Sequence, residues 1–187
     1  MSKLEVNAID SVGSTLTLGD TNATTLALNS GITTLPSTLT NTPAWNGHKS
    51  AQQVLSRATY TKITGFTMYE IDTDSAFDGT TFTVPTGKGG KYFIYFKMYA
   101  DYGTTAGNDG EYSIAQIRVN GSSIDANGLS QFSNQVYMQD TIIAQTIRTL
   151  SAGDTVEAWG YIKDASGGTG DVASSYSSFG GYRIIGA

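Results

Sequence analysis

The stretch GKGGKYFIYFKMYAD, residues 87–101, decides the fold class. Its glycines and lysine open as a turn, and residues 91–100 continue as one long strand. Alternation places Tyr92, Ile94, Phe96 and Met98 on one face. Phe93, Tyr95 and Tyr99 fall on the other, interrupted only by Lys97. A strand that is apolar on both faces needs cover on both. One face suits a sandwich core and the other a subunit interface. Tyr92, Phe93, Tyr95 and Phe96 are therefore the candidates for core or trimer interface.

Working outward, residues 57–71 (RATYTKITGFTMYEI) read as one or two strands. Residues 80–84 form a short strand that stops at Pro85. Residues 111–124 (EYSIAQIRVNGSSI) carry a strand and a hairpin signal, because Asn120-Gly121 suits a type I′ turn with positive φ at both positions. Residues 136–150 are a strand rich in Ile and Thr, Ala152-Gly153-Asp154 is a turn, and residues 155–163 are another strand. A Gly/Ser loop at 165–175 precedes a last strand at 179–185. About ten short antiparallel strands without a convincing helix predict an all-β jelly-roll sandwich.

Composition agrees and excludes several chemistries. Only 14% of the 187 residues are charged, whereas about 25% is ordinary, and Gly is abundant at 22. There is no Cys, hence no disulfide framework, thiolate zinc site or Cys nucleophile. The net charge of −5 argues against a nucleic-acid partner. No apolar run approaches the roughly 20 residues of a membrane span. The opening MSKLEVNAIDSVG lacks an apolar core segment and does not read as a signal peptide.

The chain changes character near residue 44. Residues 1–44 hold no aromatic residue and four charges, Lys3, Glu5, Asp10 and Asp20, whereas the aromatics crowd into residues 45–187. The expectation is a stalk or anchor over 1–44 and a head over 45–187. Within the first part STLTLGD (14–20) repeats as TTLALNS (24–30), so that Leu16 and Leu18 recur as Leu26 and Leu28. Two or three short strands cannot bury such a leucine face alone. Two readings stand: a disordered Ser/Thr-rich tail, or a narrow three-chain β-stalk in which the leucines of symmetry mates meet.

Several motifs in order give the head a resemblance to the jelly-roll family of the complement globular head (first component, subcomponent q) and tumour necrosis factor. Thr42-Pro43-Ala44-Trp45 stands where that family has its first strand. Phe77-Asp78 followed by Thr81-Phe82-Thr83-Val84-Pro85, then Gly90-Lys91-Tyr92-Phe93, Leu150-Ser151-Ala152-Gly153-Asp154-Thr155-Val156 and Ser178-Phe179-Gly180-Gly181-Tyr182, are similar to its later motifs. The Leu/Thr repeat around Thr21-Asn22-Ala23-Thr24-Thr25-Leu26 resembles the stalks of bacteriophage fibres and other virion proteins from marine or cyanobacterial phages. The resemblance implies a homotrimer, made in host cytoplasm and carried on the virion surface.

Sites of chemistry are sparse. Asp72, Asp74 and Asp78 begin like a calcium loop, but the pattern then fails. Gly87-Lys88-Gly89-Gly90-Lys91 departs from the phosphate-loop spacing. The single histidine, His48, has no neighbouring nucleophile in sequence and reads as a surface or interface residue. Glu5, Glu70, Glu111 and Glu157 are too few and too scattered to mark a glycosidase pair. No catalytic residue, metal ligand or cofactor is assigned. The loops at 101–110, 126–137 and 164–176 are rich in Gly, Ser, Asn and Tyr, the composition of paratopes. From them Tyr102, Asn108, Asp109, Phe132, Asn134 and Tyr137 are the candidate ligand contacts.

Taken together the expectation is a non-enzymatic bacteriophage structural protein. It would be a homotrimeric tail-fibre or spike-like appendage, attached to other virion proteins by its N-terminus and offering its head to a host-surface glycan or protein. The alternatives are a capsid decoration protein or head fibre that stabilises the shell, and, third, a glycan-cleaving spike enzyme.

Overall fold

Alternating apolar residues and frequent turns give twelve strands and no helix among the described residues. The computed structural model describes residues 42–102, 110–131, 139–164 and 169–184. The strands are β1 (Ala44–His48), β2 (Gln53–Leu55), β3 (Thr61–Lys62), β4 (Met68–Asp72), β5 (Thr81–Thr83) and β6 (Gly90–Asp101). Then come β7 (Gly110–Val119), β8 (Ser122–Gln131), β9 (Gln139–Leu150), β10 (Thr155–Asp164), β11 (Gly170–Val172) and β12 (Ser178–Ile184).

They form two antiparallel sheets, the jelly-roll sandwich expected from the sequence. In the larger sheet β9 pairs with β6 along its whole length. The other edge of β6 takes β12 and, further along, β11. The sheet continues from β12 through β1 to β4 and from β11 to β2. In the smaller sheet β10 pairs with β7, β3 and β5, and β7 pairs with β8.

Burial along β6 alternates strictly. Tyr92, Ile94, Phe96, Met98 and Ala100 are buried, while Phe93, Tyr95, Lys97 and Tyr99 are half-buried. β10 repeats the pattern, with Val156, Ala158, Gly160 and Ile162 inward. Between the sheets Trp45 of β1 stacks on Phe82 of β5, rings 3.7 Å apart and 4° from parallel. Phe66, Phe77, Phe96 and Phe179 meet edge-on or tilted around them. Such aromatic pairs add about 0.5–1.5 kcal/mol each beyond their area burial.

The turns follow the sequence signals. Asn120 and Gly121 adopt φ of 51° and 76° between β7 and β8, and Gly153 has φ 88° before β10. The two turns are clasped together. Asn120 Nδ2 donates to Asp154 Oδ1 at 2.9 Å, while Ser151 N donates to Asp154 Oδ2 at 2.7 Å.

The span 57–71, read as one or two strands, is two, because Gly65 at φ 75° turns the chain between β3 and β4. Two expectations need correction. Of the loop expected at 126–137, residues up to Gln131 belong to β8 instead, where Gly128, Leu129 and Ser130 continue the ladder with Ala115, Ile114 and Ser113. The loop expected at 165–175 contains β11, which joins β2 to β6.

Candidate functional site

The outward face of the larger sheet concentrates the apolar groups that the core leaves unused. Register pairing sets Ala44 of β1, Tyr182 of β12, Phe93 of β6 and Ile147 of β9 side by side in one row. Ile147 is 61% exposed and Tyr182 45% exposed. The Phe93 ring lies 5.5 Å from that of Tyr182 and 6.4 Å from that of Tyr95. Two positions along β9 beyond Gln145, Ile143 is a further exposed apolar side chain, and Ile71 of β4 is another. Scattered exposed leucines or isoleucines are ordinary, whereas this row is contiguous across four strands, which makes it the candidate contact face.

A polar chain runs beside the row. Tyr95 leans across β12 and donates its hydroxyl to Asn46 Oδ1 at 2.7 Å. Asn46 Nδ2 donates to Glu70 Oε2 at 2.8 Å, and His48 Nε2 stands 3.2 Å from Glu70 Oε1. Burial pushes the Tyr95 phenol above its ordinary value, against a lowering hydrogen bond with Ser178 and with a further raising contribution from Glu70. It stays neutral at physiological pH and can both donate and accept. The face therefore pairs a greasy row with a fixed set of hydrogen-bonding groups, the mixture of a specific protein interface.

The candidate residues divide. Tyr92 and Phe96 are core; Phe93 and Tyr95 are on the outward face. Tyr102 is corrected: it is fully buried and donates its hydroxyl to Ser113 Oγ at 2.9 Å, so it is not a ligand contact on a loop. It follows Asp101 directly, and the alternation of β6 turns it into the core. Asn108, Asp109, Phe132, Asn134 and Tyr137 lie outside the described residues, as do Leu16, Leu18, Leu26 and Leu28.

The acidic triplet serves turns. Asp72 Oδ1 accepts from Ala76 N, and Asp78 Oδ1 accepts from Thr80 N and Thr81 N. Asp74 accepts from the Thr73 hydroxyl and faces Lys88 at 3.9 Å. Among the described residues no three acidic, His or Cys side chains converge as metal ligands. Lys88, from the glycine-rich run, sits in a turn closed by its own N–H to the Pro85 carbonyl. His48, read as surface or interface, stands on β1.

Sequence reasoning missed Ile143, Ile147 and Tyr182. A signal existed for the first. Adjacent Ile142 and Ile143 cannot share a face on a strand, so one of them had to point away from the core.

No family model matches the chain, and no curated protein does. Solved structures do. The globular domain of zebrafish complement 1qA protein superposes at TM-score 0.51 with 18% identity, over 76% of this chain and 97% of that one. Murine APRIL gives TM-score 0.53 with 7% identity, over 75% of this chain and 98% of that one. The head has their jelly-roll fold. Eiger TNF from S. frugiperda, with TM-score 0.51 and 12% identity over 77% of this chain and 93% of that one, shares the jelly roll as well. At these identities the likeness is one of fold.

Proposed function

We propose that the chain is a homotrimeric virion structural protein of a bacteriophage, a surface appendage whose jelly-roll heads associate and present a binding surface. The observation that carries the assembly is the row Ala44–Tyr182–Phe93–Ile147. Burying one large apolar side chain contributes about 1.5–3 kcal/mol. Several per subunit offset association costs of about 4–15 kcal/mol. The jelly-roll likeness and the resemblance stated for the sequence support a trimer over a dimer.

The measurement is the solution mass of the full chain at micromolar concentration. Three times the 19.8 kDa chain mass is expected; the mass of a single chain would falsify the assembly.

The virion role draws on residues 1–44, whose leucine repeat resembles fibre stalks. On this reading the N-terminal segment docks on other virion proteins, and Leu26→Asp disrupts the assembly while Thr25→Asp does not. The second reading is a capsid decoration protein or head fibre. Copies per particle separate them: six or twelve trimers fit a tail, whereas tens to hundreds fit decoration. A role in attachment is supported by the apolar row and hydrogen-bonding groups of the face described above.

A further inference from the structure

The smaller sheet also has an outward face, and its chemistry differs from that of the larger one. Three tyrosines adjoin there. The Tyr60 ring lies 4.9 Å from that of Tyr161, and Tyr161 stacks on Tyr112 at 5.3 Å and 10°, their hydroxyls 3.1 Å apart. Tyr161 and Tyr112 stand on β10 and β7, while Tyr60 sits just ahead of β3.

Two arginines flank this strip, and each is held in place. The Arg118 guanidinium lies 3.7 Å over the Trp159 ring and 5.6 Å from that of Tyr60, and its Nε donates to Gln116 Oε1 at 2.7 Å. Arg57 Nε donates to the Asp164 carbonyl at 2.7 Å, and its charge acts on the Tyr161 hydroxyl. The lysines of this face are already neutralised, Lys62 by Glu157 at 2.7 Å and Lys163 by Glu111 at 2.5 Å. Among the described residues neither arginine stands within ion-pair distance of a carboxylate or donates a hydrogen bond from Nη1 or Nη2, although the Glu157 carboxylate acts on Arg118 from further off. A protein of net charge −5 thus carries two tethered guanidiniums beside an aromatic strip, Arg57 and Arg118, the latter set across the β7–β10 ladder from Glu157.

The backbone adds an independent sign. Ala58, between Arg57 and Tyr60, has φ 54°, the left-handed region that a residue with a Cβ avoids. Its N–H is pinned to the Ile162 carbonyl at 2.9 Å. Strain of this kind persists where surroundings enforce it and gathers at binding sites.

We propose that this face binds a carboxylate-bearing oligosaccharide. The tyrosine rings take the C–H faces of successive sugars, and the hydroxyls bond to their oxygens. The guanidinium edges take uronate-type carboxylates by the two-pronged contact that their geometry suits. Positive charge against a carboxylated polymer is the complementarity that selects this ligand over a neutral glycan. The inference names a ligand class for the attachment role proposed above and takes its biological setting from that reading. The site itself stands on one subunit.

The test is calorimetric titration of the full chain at low salt with a short oligogalacturonate, its methyl ester, a sulfated oligosaccharide of equal length and a polyglutamate peptide. The acid is expected to bind, and the ester to bind at least about tenfold more weakly, the loss of one charge-assisted contact. Arg118→Gln, Arg57→Gln and Tyr60→Ala are each expected to weaken it about tenfold with melting temperature retained, whereas Lys97→Gln on the other sheet leaves it unchanged. Equal binding of acid and ester, tighter binding of the sulfated sugar or the peptide, or no binding at all overturns the proposal. The ester comparison uses the unaltered protein, so it decides even if a variant misfolds. Solution mass from the same sample keeps the two readings apart. A monomer that binds the acid retains the site and removes the assembly, and a trimer that binds none does the reverse.

Discussion

The Tyr95 ring lies over the bare backbone of Gly180. A Cβ at position 180 would stand 2.8 Å from Tyr95 Cε1, 3.0 Å from its hydroxyl oxygen and 2.7 Å from the Trp45 carbonyl oxygen. The bond from Tyr95 to Asn46 crosses β12 because that strand has no side chain there. Gly180→Ala should therefore displace the ring and push two strands apart, at a cost of about 1–3 kcal/mol. Thermal unfolding checks it; an unchanged midpoint would mean that the strands part freely.

Ile147 tests the assembly from the outside. It is exposed on the subunit, so Ile147→Asp should leave the secondary structure intact by circular dichroism while lowering the solution mass to that of a single chain. A carboxylate forced against a partner's apolar row has no compensating charge. Persistence of the full mass would move the interface to another face.

Gly153 isolates backbone strain from packing. Its φ is 88°, and nothing lies within 4 Å of the place where a Cβ would go. Gly153→Val should destabilise by about 1–2 kcal/mol through the dihedral alone. Equal melting temperatures would show that the turn relaxes.

Stability should fall at alkaline pH. Tyr92 and Tyr102 are both raised to about 12, chiefly by burial. The unfolded chain releases those protons near pH 10, so between about 10 and 12 the folded state holds more protons than the unfolded one. Their stabilisation is whole below pH 10 and is lost as pH climbs toward 12. Lys49 acts oppositely: burial lowers its amine, so its folding penalty eases as pH rises toward its unfolded value. Tyrosinate absorbance recorded with circular dichroism should show ionisation and unfolding together; ionisation of these two phenols in a still folded chain contradicts their burial.

At the acid end the Asp154 carboxyl is held below its ordinary value, first by Asn120 and then by the Ser151 N–H. That contribution is present above the usual aspartate range and disappears as pH drops through the lowered value. Asn120→Ala should shift the acid limb of the stability curve upward in pH, read by thermal melts across a pH series.

The parts of the fold that local chemistry governs were legible in the sequence. Period-two alternation separated Tyr92 and Phe96 from Phe93 and Tyr95 as opposite faces, because a pleat leaves no choice, but it did not say which pair is core; the structure buries Tyr92 and Phe96. Asn120-Gly121 and Gly153-Asp154 announced their turns. Tyr102 was misplaced because its company of Gly, Thr and Asn suggested a loop tip, whereas the alternation of β6 runs one residue further. The aromatic row was only half visible. Which strands neighbour one another is a tertiary fact, so Ile147 and Tyr182 met Phe93 only once the sheet order was known. The arginine–tyrosine face was hidden for the same reason, since Arg57, Arg118 and Tyr161 belong to three separate segments.

The row on the larger sheet has a consequence for biogenesis. Its members come from positions 44, 93, 147 and 182, nearly the full span of the head, so no fragment displays it. A chain cut short before Tyr182 lacks the strand that carries Ala44 to Phe93. On the proposed assembly, association therefore follows the lacing of all four strands within each subunit.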